Sequence, residues 1–268
     1  MATYNPLVSC LLPAGTDYSR LARSIHCYQQ QSWKNKELIV IDSGHRDIMP
    51  LLEDIPSNEV RHIRAAKKSG YTESSLLNLG VNQAEGDMIA YWGETEWHHP
   101  DRIQTQVDAM TDTDNACVLH STLLHLDHPE YVHHPYSLPV SGGYAGSLVV
   151  RNRNDLHFPK TRKDAKQRYL KFLDETEVCT LDDSMAWLMI RCLEGGSKSD
   201  GYKAFVAGLR DSPKSAAWKF WLTFRGKSLA THPRFSISEK ERQAFYRYLK
   251  ESQRLGLIRS ITDGHTPA

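Results

Sequence analysis

Three short clusters of small and polar residues are the places in this 268-residue chain best suited to holding a ligand: Pro13-Ala14-Gly15, Asp42-Ser43-Gly44 and Gly93-Glu94-Thr95-Glu96. Each follows an apolar run. Small residues leave backbone groups accessible, and carboxylates accept hydrogen bonds from N–H donors. A further acidic pair, Asp182-Asp183, opens a densely apolar stretch containing Met185, Trp187, Leu188 and Ile190. Thirteen histidines are scattered: His98-His99 adjoin the third cluster, His128, His133 and His134 lie in a proline-rich stretch, and His157 and His232 come later. None has the spacing of a zinc finger.

Such clusters need rigid elements behind them. Residues 7–12 predict a strand, Leu21, Ala22, Ile25 and Tyr28 a helix, and residues 37–41 a buried strand. A third strand over 60–63, a helix over 72–84 and a fourth strand over 88–92 continue the alternation. Strands joined through helices form a largely parallel sheet with right-handed crossovers. Ligands gather at the carboxyl ends of such strands, where all three clusters fall, so the topology predicts that they converge.

Beyond residue 100 the order changes. A helix over 100–110 begins with Pro in its first turn, and residues 116–126 read as a strand. A proline- and histidine-rich stretch over 128–139 leads to a glycine-rich turn over 141–146 and a strand over 147–151. Residues 182–193 read as a helix closed by Gly195-Gly196, and a last helix lies within 236–257 with Ser238 as its N-cap.

With 33 Lys+Arg against 32 Asp+Glu the formal charge is +1, which argues against a dedicated nucleic-acid coat. Apolar residues make up 40%, enough for a packed core, and no stretch approaches the roughly 18 apolar residues of a spanning helix. The opening residues show no secretory pattern. The cysteines, Cys10, Cys27, Cys117, Cys179 and Cys192, are odd in number and widely spaced, as expected of buried free thiols. A cytoplasmic protein is the expectation.

Five strings recur in order: Pro6-Leu7-Val8-Ser9 to Pro13, Gln29-Gln30-Gln31-Ser32-Trp33, Glu37 to Gly44, Asn78-Leu79-Gly80 to Asp87, and Trp97 to Pro100-Asp101-Arg102. Through them residues 6–110 resemble the nucleotide-sugar-binding half of the family 2 glycosyltransferases. The fold expected is α/β: a GT-A, Rossmann-like, mostly parallel central sheet flanked by helices, with a helical C-terminal extension. On this division residues 1–110 bind the nucleotide sugar, 111–200 form the acceptor and catalytic-base half, and 201–268 the extension.

The resemblance implies site residues. In the family, the turn after the first strand and the Asp after the second hold nucleobase and ribose, usually uridine. The corresponding nucleotide-binding residues are Pro13, Ala14, Gly15 and Asp42, together with Glu94. A turn-forming Asp42 without a ligand is the alternative. Ala14 and Gly15 stand where a hydroxyl or aromatic residue is commoner, and Ser43 replaces a frequent second Asp. The family's acidic element after the fourth strand binds Mg2+ or Mn2+ bridging the diphosphate, and hard cations take oxygen ligands. Against a four-Asp version, Glu94 and Glu96 fall on the second and fourth positions and are the metal candidates, while Gly93 and Thr95 fall on the first and third. A solvated acidic turn is the alternative. Asp182-Asp183 resembles the family's late acidic pair. Asp183 is the implied general base of an inverting displacement, with Asp182 beside it or simply capping the helix.

The implied function is transfer of a sugar from a nucleoside diphosphate, UDP foremost, to a hydroxyl of a saccharide or lipid-linked saccharide. Retention of the nucleotide pocket with weak or no transfer is the second reading, suggested by Gly93 and Thr95. His98 or His99 in a metal role, and His157 or His232 as a late metal ligand, are minor readings. Arg64, Lys67 and Lys68 follow the third strand near the implied diphosphate. A basic run includes Lys160, Arg162, Lys163, Lys166, Arg168 and Lys171. Residues 214–227 interleave cations with Trp218, Trp221 and Phe224, either as a packed amphipathic helix or as a peripheral contact with the inner membrane face. A nucleic-acid partner fits less well.

Overall fold

The computed structural model describes residues 5–15, 17–42, 47–65, 71–127, 135–153, 155–160, 165–194, 213–227 and 231–258. Strands β1 (Val8–Ala14) and β2 (Lys36–Asp42) pair in parallel, with Ala14 opposite Asp42. Both are apolar along most of their length, because helices cover both faces of the sheet and alternation has no solvent side to report. β3 (Val60–Arg64) joins β2 with Arg64 opposite Asp42, and β4 (Met88–Tyr91) joins the other edge of β1.

The helices start where side chains satisfy their first N–H groups. Asp17 accepts from Ser19 and Arg20 at the head of α1 (Tyr18–Gln29), and Thr72 forms a reciprocal capping box with Ser75 at the head of α2 (Glu73–Val81). Helix α1 packs Leu21, Ile25 and Tyr28 into one core with Cys10 and Leu12 of β1. Helix α2 packs Leu77 into a second core with Leu11, so alternate residues of β1 serve opposite faces. α3 (Arg102–Ala109) adds Ile103 and Val107 to the first core, and α4 (Ala165–Leu170) adds Ala165 and Leu170 to the second.

The second half extends the sheet with β5 (Glu96–His98), β6 (Ala116–Asp127), β7 (Tyr136–Arg151), β8 (Val178–Leu181) and β9 (Met189–Glu194). The order is β3-β2-β1-β4-β7-β6-β9-β5, with β8 pairing β6. β7 runs antiparallel to β4 and β6, and β5 runs antiparallel to β9, while the pairs formed by β1, β2 and β3 and the pairs of β6 with β8 and β9 are parallel.

Two segments differ from the sequence expectation. Residues 182–193 do not form one helix: a 3-10 segment, Asp183–Leu188, leads directly into β9. There Ile190 sits between Leu123 of β6 and Trp97 of β5, and an apolar run buried on both sides carries no periodicity to separate helix from strand. Gly195-Gly196 lies outside the described residues. The glycines expected to make a turn lie inside β7, where Gly142 and Gly143 take φ of 74° and 82°. The β6–β7 register shifts between Cys117 and Leu119 and again between Leu119 and Ser121, so these glycines serve an irregular strand.

Near the C-terminus lie α5 (Pro213–Phe224) and α6 (Glu239–Arg254), the latter capped by Ser238 as the sequence predicts, with Glu241 completing a capping box. α6 is part of the main core. Its Tyr248 is fully buried, meets Trp97 edge-on at 6.2 Å and bonds His125 of β6 at 2.9 Å. Replacing Tyr248 with Ala should lower stability by about 3–5 kcal/mol in urea unfolding. Tyr246→Ala, on the exposed face of the same helix, should change it by no more than about 0.5 kcal/mol.

Candidate active site

In an open α/β sheet the ligand crevice lies where consecutive connections leave a strand in opposite directions. Here β1 leads to β2 on one side, while the connection from β3 returns to β4 on the other, so the crevice falls between β1 and β4. Two predicted clusters meet there. The Gly15 N–H, just past β1, donates to Glu94 Oε2, just past β4, at 2.9 Å. Their approach is close enough that a Cβ on residue 15 would overlap the Glu94 carboxylate, so a larger residue there would displace that side chain. Burial pushes the Glu94 carboxyl above its usual range, with the Gly15 N–H opposing part of that shift.

Pro13 and Ala14 end β1, and Asp42 ends β2. Ala14, Asp42 and Arg64 stand at one level across three neighbouring strands. Asp42 is buried at 3% exposure, with His62 Nε2 at 3.4 Å and Arg64 Nε at 3.6 Å from its Oδ2. Ser43, Gly44, Lys67 and Lys68 lie outside the described residues.

Glu96 faces inward. It is 4% exposed, and its oxygens accept from Tyr144 Oη at 2.6 Å and Thr95 Oγ1 at 3.1 Å. A Cβ on Gly93 would overlap Glu96 Oε2, so the Glu96 carboxylate occupies the room that a side chain at position 93 would take. Among the described residues no group of three or more His, Cys, Asp and Glu side chains is placed to hold a metal ion. Glu94 in the turn and Glu96 at the head of β5 nevertheless offer carboxylate oxygens, the ligand type a hard cation takes.

The turn that carries these acids is held from below. Arg102 is fully buried and donates to Gln106 Oε1 at 3.0 Å, His98 Nδ1 at 2.8 Å and the Tyr91 carbonyl at 3.1 Å. His98 must be neutral to accept from a guanidinium, and burial holds it well below its usual value. His99 faces Trp187, 4.6 Å between centroids, and burial lowers it to about 4. These two histidines are thereby occupied by packing. His232 donates into the Ser215 carbonyl, and His157 neighbours Asn78 at 3.3 Å. His128, His133 and His134 lie outside the described residues.

Asp182 and Asp183 divide their work. Asp182 accepts from the Ser184 N–H at 2.9 Å and caps the 3-10 segment. Asp183 is exposed, and its Oδ1 accepts from His120 Nδ1 at 2.7 Å and from the Ser121 hydroxyl. Among the described residues nothing hydrogen-bonds its Oδ2. Adjacent residues of a regular strand point to opposite faces, and the register shift between Leu119 and Ser121 accompanies the reach of both His120 and Ser121 to one carboxylate. Leu119 itself pairs with Tyr144, the residue bonded to Glu96, so a single strand pair links the two acidic centres. His120, Ser121 and the Tyr144 hydroxyl were not identifiable from sequence, because a β6 irregularity and a cross-strand contact bring them into place. Arg191, with its guanidinium 4.4 Å from the Tyr144 ring centroid, belongs to the same group.

This sheet order, with its mixed second half and a ligand crevice beside β1, defines the GT-A class of nucleotide-sugar transferase folds. The model of glycosyl transferase family 2 matches residues 9–186, and the chain belongs to that family. An uncharacterized glycosyltransferase of Rickettsia typhi is 25% identical over 117 residues, covering 44% of this chain and 36% of that protein. The amylovoran biosynthesis glycosyltransferase AmsB of Erwinia amylovora is 22% identical over 99 residues, covering 36% of this chain and 33% of that protein. The match therefore spans about a third of the length of these two relatives. Among solved structures, the mannosyltransferase PcManGT of Pyrobaculum calidifontis, in complex with GDP-Man and Mn2+, superposes with a TM-score of 0.52 at 15% identity, covering 95% of this chain and 88% of that one. TarS 1-349 of S. aureus in complex with UDP-GlcNAc gives 0.51 at 13% identity, covering 92% and 81%.

The Ser121 and His120 hydrogen bonds hold the Asp183 carboxyl below its usual range, the Ser121 bond being the larger cause. A lowered folded value means that Asp183 contributes stability above the ordinary carboxylate range and loses it as the pH falls through the lowered one. Ser121→Ala should raise the Asp183 pKa toward the ordinary value. Carboxyl-carbon NMR titration of the two proteins measures the shift, and an unchanged titration would remove Ser121 from this role.

Proposed function

We propose that this chain is an inverting, cation-assisted glycosyltransferase that moves a sugar from a nucleoside diphosphate, UDP foremost, to a hydroxyl of a saccharide or lipid-linked saccharide. The observation that carries this reading is the crevice at the switch point, where Gly15 and Glu94 are bonded beside the row Ala14, Asp42 and Arg64. Pro13, Ala14, Gly15 and Asp42 would receive the nucleoside. The exposed Arg64 guanidinium offers positive charge near the diphosphate. Glu94 and Glu96 would hold Mn2+ or Mg2+, which stabilises the charge that develops on a departing diphosphate. Complexes of similarly folded proteins with GDP-Man and Mn2+, and with UDP-GlcNAc, support a nucleotide-sugar donor.

Asp183 is the general base of this reading. With Oδ1 held by His120 and Ser121, its Oδ2 takes the acceptor proton while the acceptor oxygen bonds the anomeric carbon and the bond to the diphosphate breaks. Its lowered pKa keeps it ionised and ready at neutral pH. Asp182 positions the segment through its cap. The reading includes a cytoplasmic location, supported by five cysteines that are all free.

Titration calorimetry with UDP and Mn2+ tests the donor site: UDP should bind, and no heat with any nucleoside diphosphate would refute the proposal. Asp183→Asn should preserve UDP affinity while lowering transfer by about 10²–10⁴-fold. Gly93 favours the second reading, a nucleotide-binding module. Tight UDP binding without turnover on a panel of saccharide and lipid-linked acceptors would support it.

A further inference from the structure

Helix α5 takes no part in the site described above. From Pro213 to Lys227 the chain carries Lys214, Lys219, Arg225 and Lys227 and no acidic residue. It also turns aromatic side chains to solvent: Phe220 is 74% exposed, Phe224 79%, Trp218 38% and Trp221 39%. Its other side is seated on protein. Leu222 and Ser215 are buried there, and the Ser215 carbonyl accepts from His232 Nε2 at 2.9 Å. His232 packs on Phe235, and Phe235 on Tyr136 of β7, which ties the helix to the sheet.

At about 100° per residue, Phe220, Phe224, Ala217, Trp221 and Trp218 fall on one continuous arc that starts opposite Leu222 and runs round to within about 40° of it. Lys214 and Arg225 lie within that arc toward its Trp218 edge, and Lys219 lies beyond the opposite edge. The rings are mutually arranged: Phe220 and Phe224 stack at 6.4 Å, and Trp218 meets Trp221 edge-on at 5.2 Å. Arg225 and Lys227 lie over the Trp221 ring at 5.7 and 5.4 Å. A contiguous apolar patch of this kind marks a surface that is covered in use.

Charge decides what covers it. A two-fold contact between copies through this helix would set four cations against four cations, with no acid on either helix to offset them. An anionic bilayer meets both requirements, since aromatic rings settle at the headgroup boundary and Lys and Arg pair with lipid phosphates. No helix among the described residues is long and apolar enough to cross a membrane, so such a contact is peripheral. We infer that α5 is an interfacial helix that seats the domain on an anionic lipid surface through Phe220, Phe224, Trp218 and Trp221, with its cations on the lipid phosphates. This goes beyond the transfer reading and holds whether or not Asp183 is the base.

Co-sedimentation of the full chain with vesicles of phosphatidylcholine, with and without phosphatidylglycerol, tests it. Binding should require phosphatidylglycerol and weaken as salt rises. The double variant Phe220→Ser/Phe224→Ser should bind at least about tenfold less, and Lys214→Glu/Arg225→Glu should lose the preference for the anionic vesicles. Both variants should keep the thermal transition and UDP affinity of the parent chain, because these side chains are exposed and outside the crevice. Three results would overturn the inference: no binding to either vesicle, binding unaffected by both variants, or a dimer in light scattering that the Phe220→Ser/Phe224→Ser variant dissociates.

Discussion

A buried guanidinium is the constraint on which the rest of this molecule depends. Arg102 lies in the core, among the described residues it hydrogen-bonds no carboxylate, and burial lowers its pKa to about 10. A charge so placed needs hydrogen-bond partners, and each of its three nitrogens has one. It reaches the last carbonyl of β4, the last side chain of β5 and Gln106 on α3. Gln106 in turn donates to the carbonyls of Cys117 in β6 and Ser147 in β7. One network therefore fixes the acidic turn between β4 and β5 and fastens it to the antiparallel half of the sheet. The Gly93 carbonyl is held besides by the Ser24 hydroxyl of α1 at 3.0 Å.

That rigidity gives meaning to the unusual lettering of the turn. Gly93 has no side chain, and the space is taken by the carboxylate of Glu96, steadied by Tyr144 and Thr95. Glu94 fills the room above Gly15 in the same manner. Each glycine is matched to a glutamate that approaches from another position, so the longer side chain and the vacant one are complementary.

Glu96 and Asp183 sit on different elements but share β6 and β7 as their frame. The bulged register that brings His120 and Ser121 to Asp183 lies beside Leu119, the partner of Tyr144. A change in that bulge would be felt at both centres. Lys166, which the sequence groups with a basic run, is drawn instead into contact with Glu73 and the Tyr91 ring, helping to close α4 over the sheet.

The sequence by itself determined the first half almost completely. Its strands, helices and strand-end clusters are local patterns, and the parallel α/β alternation leaves one way to bring their ends together. It also marked the acidic residues at both centres. Tertiary structure alone decided that residues 189–194 are a strand, that the glycines of β7 serve a bulge, and that Glu96 points inward to occupy the space at Gly93. Those outcomes depend on neighbours far away along the chain, and a run buried on every side carries no periodic signal of the contacts that will bury it.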